Sequence, residues 1–327
     1  LRKALLITCA LVIAGCGSST TQAIRTTSLV TPAVALKIAQ VQLPKILNVG
    51  DNATIDQLAE DPDATFQKAQ ILTNSVLQVP DVADLKVSDV NVFVAPQLTY
   101  PAKFVATFGL SSVTLKLTNG LEVALFVQRG PGDGWKLHAL FPIDAGVALP
   151  TIGTDARQQA AVLTDSTKLR VRPSEICTRT AGLMTLASSG GDYLNDPNLK
   201  PFEPGTNMAS WLSQLKAHTA SIASGGSASS DQFSVDDSIR AAYAVAGGGG
   251  VQFCVVSETL KETAAGGKIY QQDGDRANLG TLVPPGSYRS VTYRTLYEIA
   301  VRVPAAQADP IRYLGVYGFT VSAATST

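Results

Sequence analysis

Ser213-Gln214-Leu215-Lys216 places a serine and a lysine one helical turn apart, the spacing at which a lysine can help activate a hydroxyl nucleophile. That chemistry also needs S-x-N and K-T-G elements, and neither follows in usable form. The expectation is therefore an exposed Ser213 and Lys216 flanking an apolar stripe. Asp51, Asp56, Glu60, Asp61 and Asp63 bring enough oxygen together to suggest calcium, and Asp273-Gly274-Asp275-Arg276-Ala277-Asn278 repeats the hint. A calcium loop requires D-x-[DN]-x-[DN]-G with a late glutamate. Neither stretch has that register, so both read as solvated helix starts and polar loop. Gly247-Gly248-Gly249-Gly250 lacks the Gly-Lys-Ser/Thr and helix of a phosphate cradle, and strand patterns on both sides make it a hairpin turn or a flexible loop.

The chain has two histidines, His138 and His218, too far apart in sequence to suggest a zinc set. His138 alternates with Leu137 and Ala139 and is expected on the outer face of its strand with Lys136; His218 falls on the flank of a helix stripe. Tyr288, Tyr293, Tyr297, Tyr313 and Tyr317 form a further set, readable either as hydroxyl-tipped walls of a pocket or as sheet core with peripheral hydroxyls. No catalytic, cofactor-binding or metal site follows from these patterns, and an enzyme is not the favoured reading. The 26 basic and 26 acidic residues cancel, so no basic field points to nucleic acid.

The elements that must position these residues change character along the chain. Thr31 and Pro32 open a helix expected to carry Val34, Ile38, Val41 and Leu43 inward, with Pro44 kinking or ending it. Ala64 to Val79 is a second helix with Phe66, Ala69, Leu72 and Val76 on one side. From Val87 the period becomes two, predicting strands at 87–95, 99–108, 113–118, 121–129 and 135–143, with Asn119-Gly120 as a tight hairpin. Residues 155–163 read as a connecting helix, 173–187 and 207–223 as helices, and 224–230 as a flexible Gly/Ser loop. Strands follow at 239–246, 251–259, 290–303 and 311–322. Along the third of these, Val291, Tyr293, Thr295, Tyr297, Ile299, Val301 and Val303 share one buried face. The fold class is α+β, expected as two tandem domains at 29–149 and 150–327, each with helices followed by a curved antiparallel sheet.

The N-terminus carries the most specific motif. Arg2 and Lys3 precede a run of twelve mostly apolar residues, Ala4 to Gly15, too short to span a bilayer permanently. Ile13-Ala14-Gly15-Cys16 resembles the lipobox of bacterial lipoproteins. The resemblance implies that residues 1–15 are a signal peptide, that Cys16 receives a diacylglycerol and becomes the first mature residue, and that residues 16–28 are a tether. The implied location is the cell membrane, lipid-anchored and facing the extracytoplasmic side. With Cys9 lost and Cys16 lipidated, Cys177 and Cys254 are expected to pair in an oxidising compartment, the alternative being two separately buried thiols.

Asp133-Gly134-Trp135-Lys136-Leu137, closing a helices-then-meander half, resembles the NTF2-like α+β cone. The whole chain resembles actinobacterial putative lipoproteins of unassigned function. The NTF2-like resemblance implies a cone with a pocket between helix and sheet; with no acid/base or nucleophile set in the sequence, the expected function is an envelope binding or interaction module whose partner is an envelope protein or a small ligand. A cell-envelope hydrolase is the alternative.

Overall fold

Four antiparallel strands and the three helices before them build the first half of the chain in the computed structural model, which describes residues 28–327 except 78–83, 166, 194, 198, 200, 237, 268, 272–281, 285 and 306–308. Helix α1 (Pro32–Leu47) starts where the Thr31 hydroxyl accepts the Val34 N–H, with Pro32 in the first turn where no N–H is needed. Pro44 does not end it. The helix runs on to Leu47 because Leu43 and Ile46 are held in the core and Pro44 already lies in the last turn. Asp51 caps α2 (Asn52–Leu58), its carboxylate accepting the Thr54 N–H at 2.8 Å. Helix α3 spans Asp63–Leu77.

Both apolar stripes differ from expectation. In α1 the buried residues are Ala35, Ala39, Leu43 and Ile46, while Val34 and Val41 are exposed. In α3 they are Asp63, Ala64, Phe66, Gln67, Ala69 and Thr73, while Leu72 and Val76 are exposed. Small residues let α1 lie close on the sheet, and the partly polar inward face of α3 is satisfied within the helix where the Gln67 amide donates to Asp63.

Strands β1 (Lys86–Phe93), β2 (Ala102–Ser112), β3 (Leu117–Gln128) and β4 (Lys136–Ile143) follow one another across the first sheet. Asn119-Gly120 is not the reversal. The chain turns at residues 113–116, and β3 continues through Asn119, whose φ of 53° sits where the β2–β3 register shifts. The positive φ that Asn-Gly favours is used by a bulge rather than a turn.

The second sheet has the order β5 (Phe202–Glu203), β12 (Ile311–Ser326), β11 (Ser290–Val303), β8 (Gly250–Ala264), β6 (Ser227–Val235), with β7 (Ala241–Ala244) also on β8. It is antiparallel except for β5, which runs parallel to β12. A separate pair joins β9 (Ile269–Gln271) to β10 (Gly286–Tyr288). Part of the expected Gly/Ser loop is strand β6, because β8 offers it a complete row of backbone partners. Helices α4 (Pro173–Ser188) and α5 (Thr206–Ser224) cover the outer face.

The inner faces of the two sheets meet. Val105, Val123, Leu125, Ala139 and Phe141 from the first pack on Tyr243, Val251, Phe253, Val255 and Ala300 from the second. Hence both sides of central β11 are buried, not one: Tyr297, Ile299 and Val301 lie under α4 and α5, and Leu296, Glu298 and Ala300 face inward. Strand β4 crosses β12 at Gly315, where an added Cβ would come within 1.9 Å of the Pro142 carbonyl oxygen. Residues 155–163 are not helical. The Asp155 carboxylate accepts the N–H groups of Arg157 and Gln159, turning the chain back, and the limbs bond to Val94 of the first sheet and to Ala242 and Ala244 of the second.

Candidate functional site

Cys177 on α4 and Cys254 on β8 stand with sulfurs 2.04 Å apart, buried beneath the outer helices. The Gln252 amide donates to the Cys177 sulfur at 3.1 Å. Cys16 and Asp273–Asn278 lie outside the described residues. Ser213 and Lys216 are both exposed on α5, as an incidental S-x-x-K spacing requires. Among the described residues no group of three or more His, Cys, Asp or Glu side chains could hold a metal ion.

His138 is not on the outer face: it is 2% exposed and its Nδ1 lies 2.9 Å from Glu60 Oε1. Arg129 forks the same carboxylate, with Nη2 to Oε1 at 2.7 Å and Nε to Oε2 at 3.1 Å. Burial acts to raise the Glu60 carboxyl, but the hydrogen bonds from His138 and Arg129 outweigh it and hold it below the ordinary range. The Glu60 N–H also donates to the Leu137 carbonyl at 2.9 Å, so this constellation pins the α2–α3 junction to the edge of β4. Among the described residues the hydrogen-bond partner of His138 is Glu60, and the cluster reads as a structural clamp. His218 pairs with Glu262 at 3.1 Å.

Of the five tyrosines, Tyr288, Tyr293, Tyr297 and Tyr313 are core residues, while Tyr317 is 39% exposed on the opposite face of the sheet. They do not line one wall. Tyr297 fits because Gly318, its cross-strand neighbour, leaves room for the ring; an added Cβ there would lie 2.5 Å from it.

Two groups of acids, unexpected from sequence, carry the unusual chemistry. The first lies where α3, the free edge of β4 and the inner face of β11 and β12 meet. Glu298 is 3% exposed and accepts the Leu140 N–H at 3.0 Å. Asp63 is 1% exposed and accepts from the Gln67 amide at 2.6 Å. Burial raises Asp63 to about 8 and Glu122 of β3 to about 7. Glu298 stands well above the ordinary range, through burial first and then through the charges of Asp63 and Glu122. Tyr317, at the rim, receives the Gln70 amide at 3.3 Å, and burial and these acids raise its hydroxyl.

The second group is Asp231 of β6 and Glu258 of β8, under α4 and α5. The Tyr297 hydroxyl donates to Glu258 Oε2 at 2.7 Å. Asp231 is raised to about 8 by burial, by the charge of Glu258 and by a hydrogen bond with it, and its Oδ1 is buried without a partner. Trp211 meets Tyr297 edge to face with centroids 5.5 Å apart, and Phe233 closes the other side at 6.4 Å. Burial and the neighbouring Glu258 carboxylate both disfavour the charged form of Asp231, which favours its protonated form at neutral pH.

The clue in the sequence is an acid inside an otherwise apolar strand, as in Leu296-Tyr297-Glu298-Ile299-Ala300. An open cleft of 650 Å³ lies apart from both groups, between Pro96 and residues 153–162. No family model, curated protein or solved structure matches the chain.

Proposed function

We propose that the chain is an exported lipoprotein, held on the extracytoplasmic side of the cell membrane by lipid on Cys16, and that it serves as a binding or interaction module of the envelope. The observation that carries this reading is the Cys177–Cys254 pair, since disulfides persist in oxidising, exported compartments. It joins the Ile13-Ala14-Gly15-Cys16 motif as an independent sign of export. Two acyl chains suffice for stable anchoring. Among the described residues no helix is long and apolar enough to cross a membrane. The Leu29 N–H bonds to the Gln97 carbonyl and the Gln97 N–H to the Ser28 hydroxyl, which fixes the end of the proposed tether to the folded body.

The reading includes two tandem units, 29–149 and 150–327, and an NTF2-like character for the first. Helices α1 and α2 on one face of a four-stranded antiparallel meander, with α3 at its β4 edge, support that character. Phe104, Phe126 and Trp135 pack together in the space where the resemblance implies a pocket, so the ligand surface is sought elsewhere. The enzymatic alternative, an envelope hydrolase, is favoured by one observation only, the Asp231 and Glu258 carboxyls set together beneath Tyr297 and Trp211. Mass spectrometry of the membrane fraction tests the anchor: a diacylated N-terminal Cys16 peptide is expected, and a soluble chain beginning elsewhere overturns it. Crosslinking in intact cells should then capture a reproducible envelope component.

A further inference from the structure

Helix α3 is attached to the rest of the molecule through opposite kinds of contact along its length. Phe66 packs on Tyr317 and Phe319 of β12, both at 5.5 Å between ring centroids, and with Ala69, Leu296 and Val321 it forms a small apolar cluster separate from the main cores. Beside this cluster runs the seam of acids. Asp63 comes from α3, Glu122 from β3 and Glu298 from β11, so lifting α3 takes Asp63 away from the two acids of the sheets and admits water on the side of β11 that α3 covers. The groups facing them are Gln67 and Gln70 of α3, the Leu140 N–H of β4 and the Tyr317 hydroxyl of β12. The influences on Asp63, Glu122 and Glu298 are burial, one another, Gln67 and Leu140, with no basic group among them.

Two buried carboxyls and a part-buried third, with no basic group among the described influences on them, stay together at low cost only while they keep their protons. Protonated, each acid is neutral and can be desolvated at modest cost. Ionised, two or three like charges in a poorly hydrated seam repel one another and draw in water. We propose that the seam of Asp63, Glu122 and Glu298 is a proton-operated latch that keeps α3 closed on β11 and β12 in acid and releases it as the medium becomes neutral to alkaline. Release uncovers Phe66, Leu296, Phe319 and Val321, an apolar surface that is absent from the closed form. The sign follows from linkage: acids raised in the closed state hold protons that the open state, near the ordinary carboxylate range, gives up. The latch is therefore fully engaged below about pH 4 and weakens as pH rises toward 7 to 8. Over that interval the opening constant grows about tenfold per pH unit for each carboxyl that ionises on opening.

Hydrogen exchange of the full chain, followed by mass spectrometry and corrected for intrinsic rates, measures this. Peptides covering residues 63–77 should show an opening constant at least about a hundredfold larger at pH 7 than at pH 5, the value for a single proton. Peptides of α5, remote from the seam, serve as the reference. Glu298→Gln keeps the shape and the Leu140 contact but removes one titrating group, and should lower the slope of log opening against pH by about one. The combined Asp63→Asn, Glu122→Gln, Glu298→Gln variant should abolish the slope. A wild-type change under threefold, or an undiminished slope in Glu298→Gln, overturns the latch. Should the triple variant not fold, uptake of a hydrophobic dye by the wild type decides: dye binding that rises between pH 5 and 8 supports release, and constant binding refutes it.

Discussion

Removing the covalent link between Cys177 and Cys254 should weaken the protein in two separable steps. The cysteines are 77 residues apart in sequence. In the chain-entropy account, closing a loop of that size stabilises the fold by about 4.5 kcal/mol, through restriction of the unfolded chain alone. Reduction without substitution loses this contribution but keeps both sulfurs. Replacing both cysteines by alanine adds a second loss. Gln252 is 1% exposed, its amide nitrogen donates to the Cys177 sulfur, and its Oε1 already has no partner. Deleting the sulfur leaves the whole buried amide unsatisfied, a further cost of about 1–3 kcal/mol. Urea unfolding of oxidised, reduced and C177A/C254A protein, read by fluorescence of Trp135 and Trp211, should therefore place the three midpoints in that descending order. The reasoning fails if oxidised and reduced forms differ by less than about 1 kcal/mol, or if the alanine variant equals the reduced protein. Because Trp211 packs near the link in the second half and Trp135 lies in the first, coincident transitions would also show that the two sheets unfold together.

Gly315→Ala should cost about 1–3 kcal/mol or more in thermal unfolding, since the new methyl collides with the Pro142 carbonyl, whereas Gly132→Ala, with nothing within 4 Å, should not register. Asn119→Ala should lose about 1 kcal/mol because alanine resists φ near 53°, and Asn119→Gly should retain wild-type stability; equal melting temperatures for both would reject the bulge explanation. Glu60→Gln should be destabilising near pH 6. Its carboxyl is held low in the folded state, so the wild-type advantage exists above the ordinary carboxylate range and vanishes as pH falls through the lowered value; acid titration of both proteins checks this.

Much of the architecture was legible because local chemistry and periodicity agree there. Pro173 opens α4, and Met208, Leu212 and Leu215 set the buried face of α5. The alternation from Val291 to Val303 marks β11. The α1 and α3 stripes were less legible because apolar spacing cannot distinguish a residue that faces the core from one that faces solvent beside it; Ala35 and Ala39 won over Val34 and Val41. The acid groups were least legible. Glu298 stands out locally only as an acid in an apolar strand run, and nothing in that run says that a second sheet and α3 will close over it.

By themselves, the residues determine the α+β class, the helix starts at Thr31 and Asp51, and a pair of cysteines available to join, because these depend on side chains near in sequence or on residue inventory. Tertiary structure alone decided that Asn119-Gly120 bends a strand instead of reversing it, that residues 155–163 bridge two sheets, and that Asp63 and Glu298 are buried within electrostatic reach of each other and of Glu122. Each of those outcomes turns on which partner a distant segment offers. Desolvation and backbone pairing are properties of an assembled surface, and a single stretch of chain does not carry them.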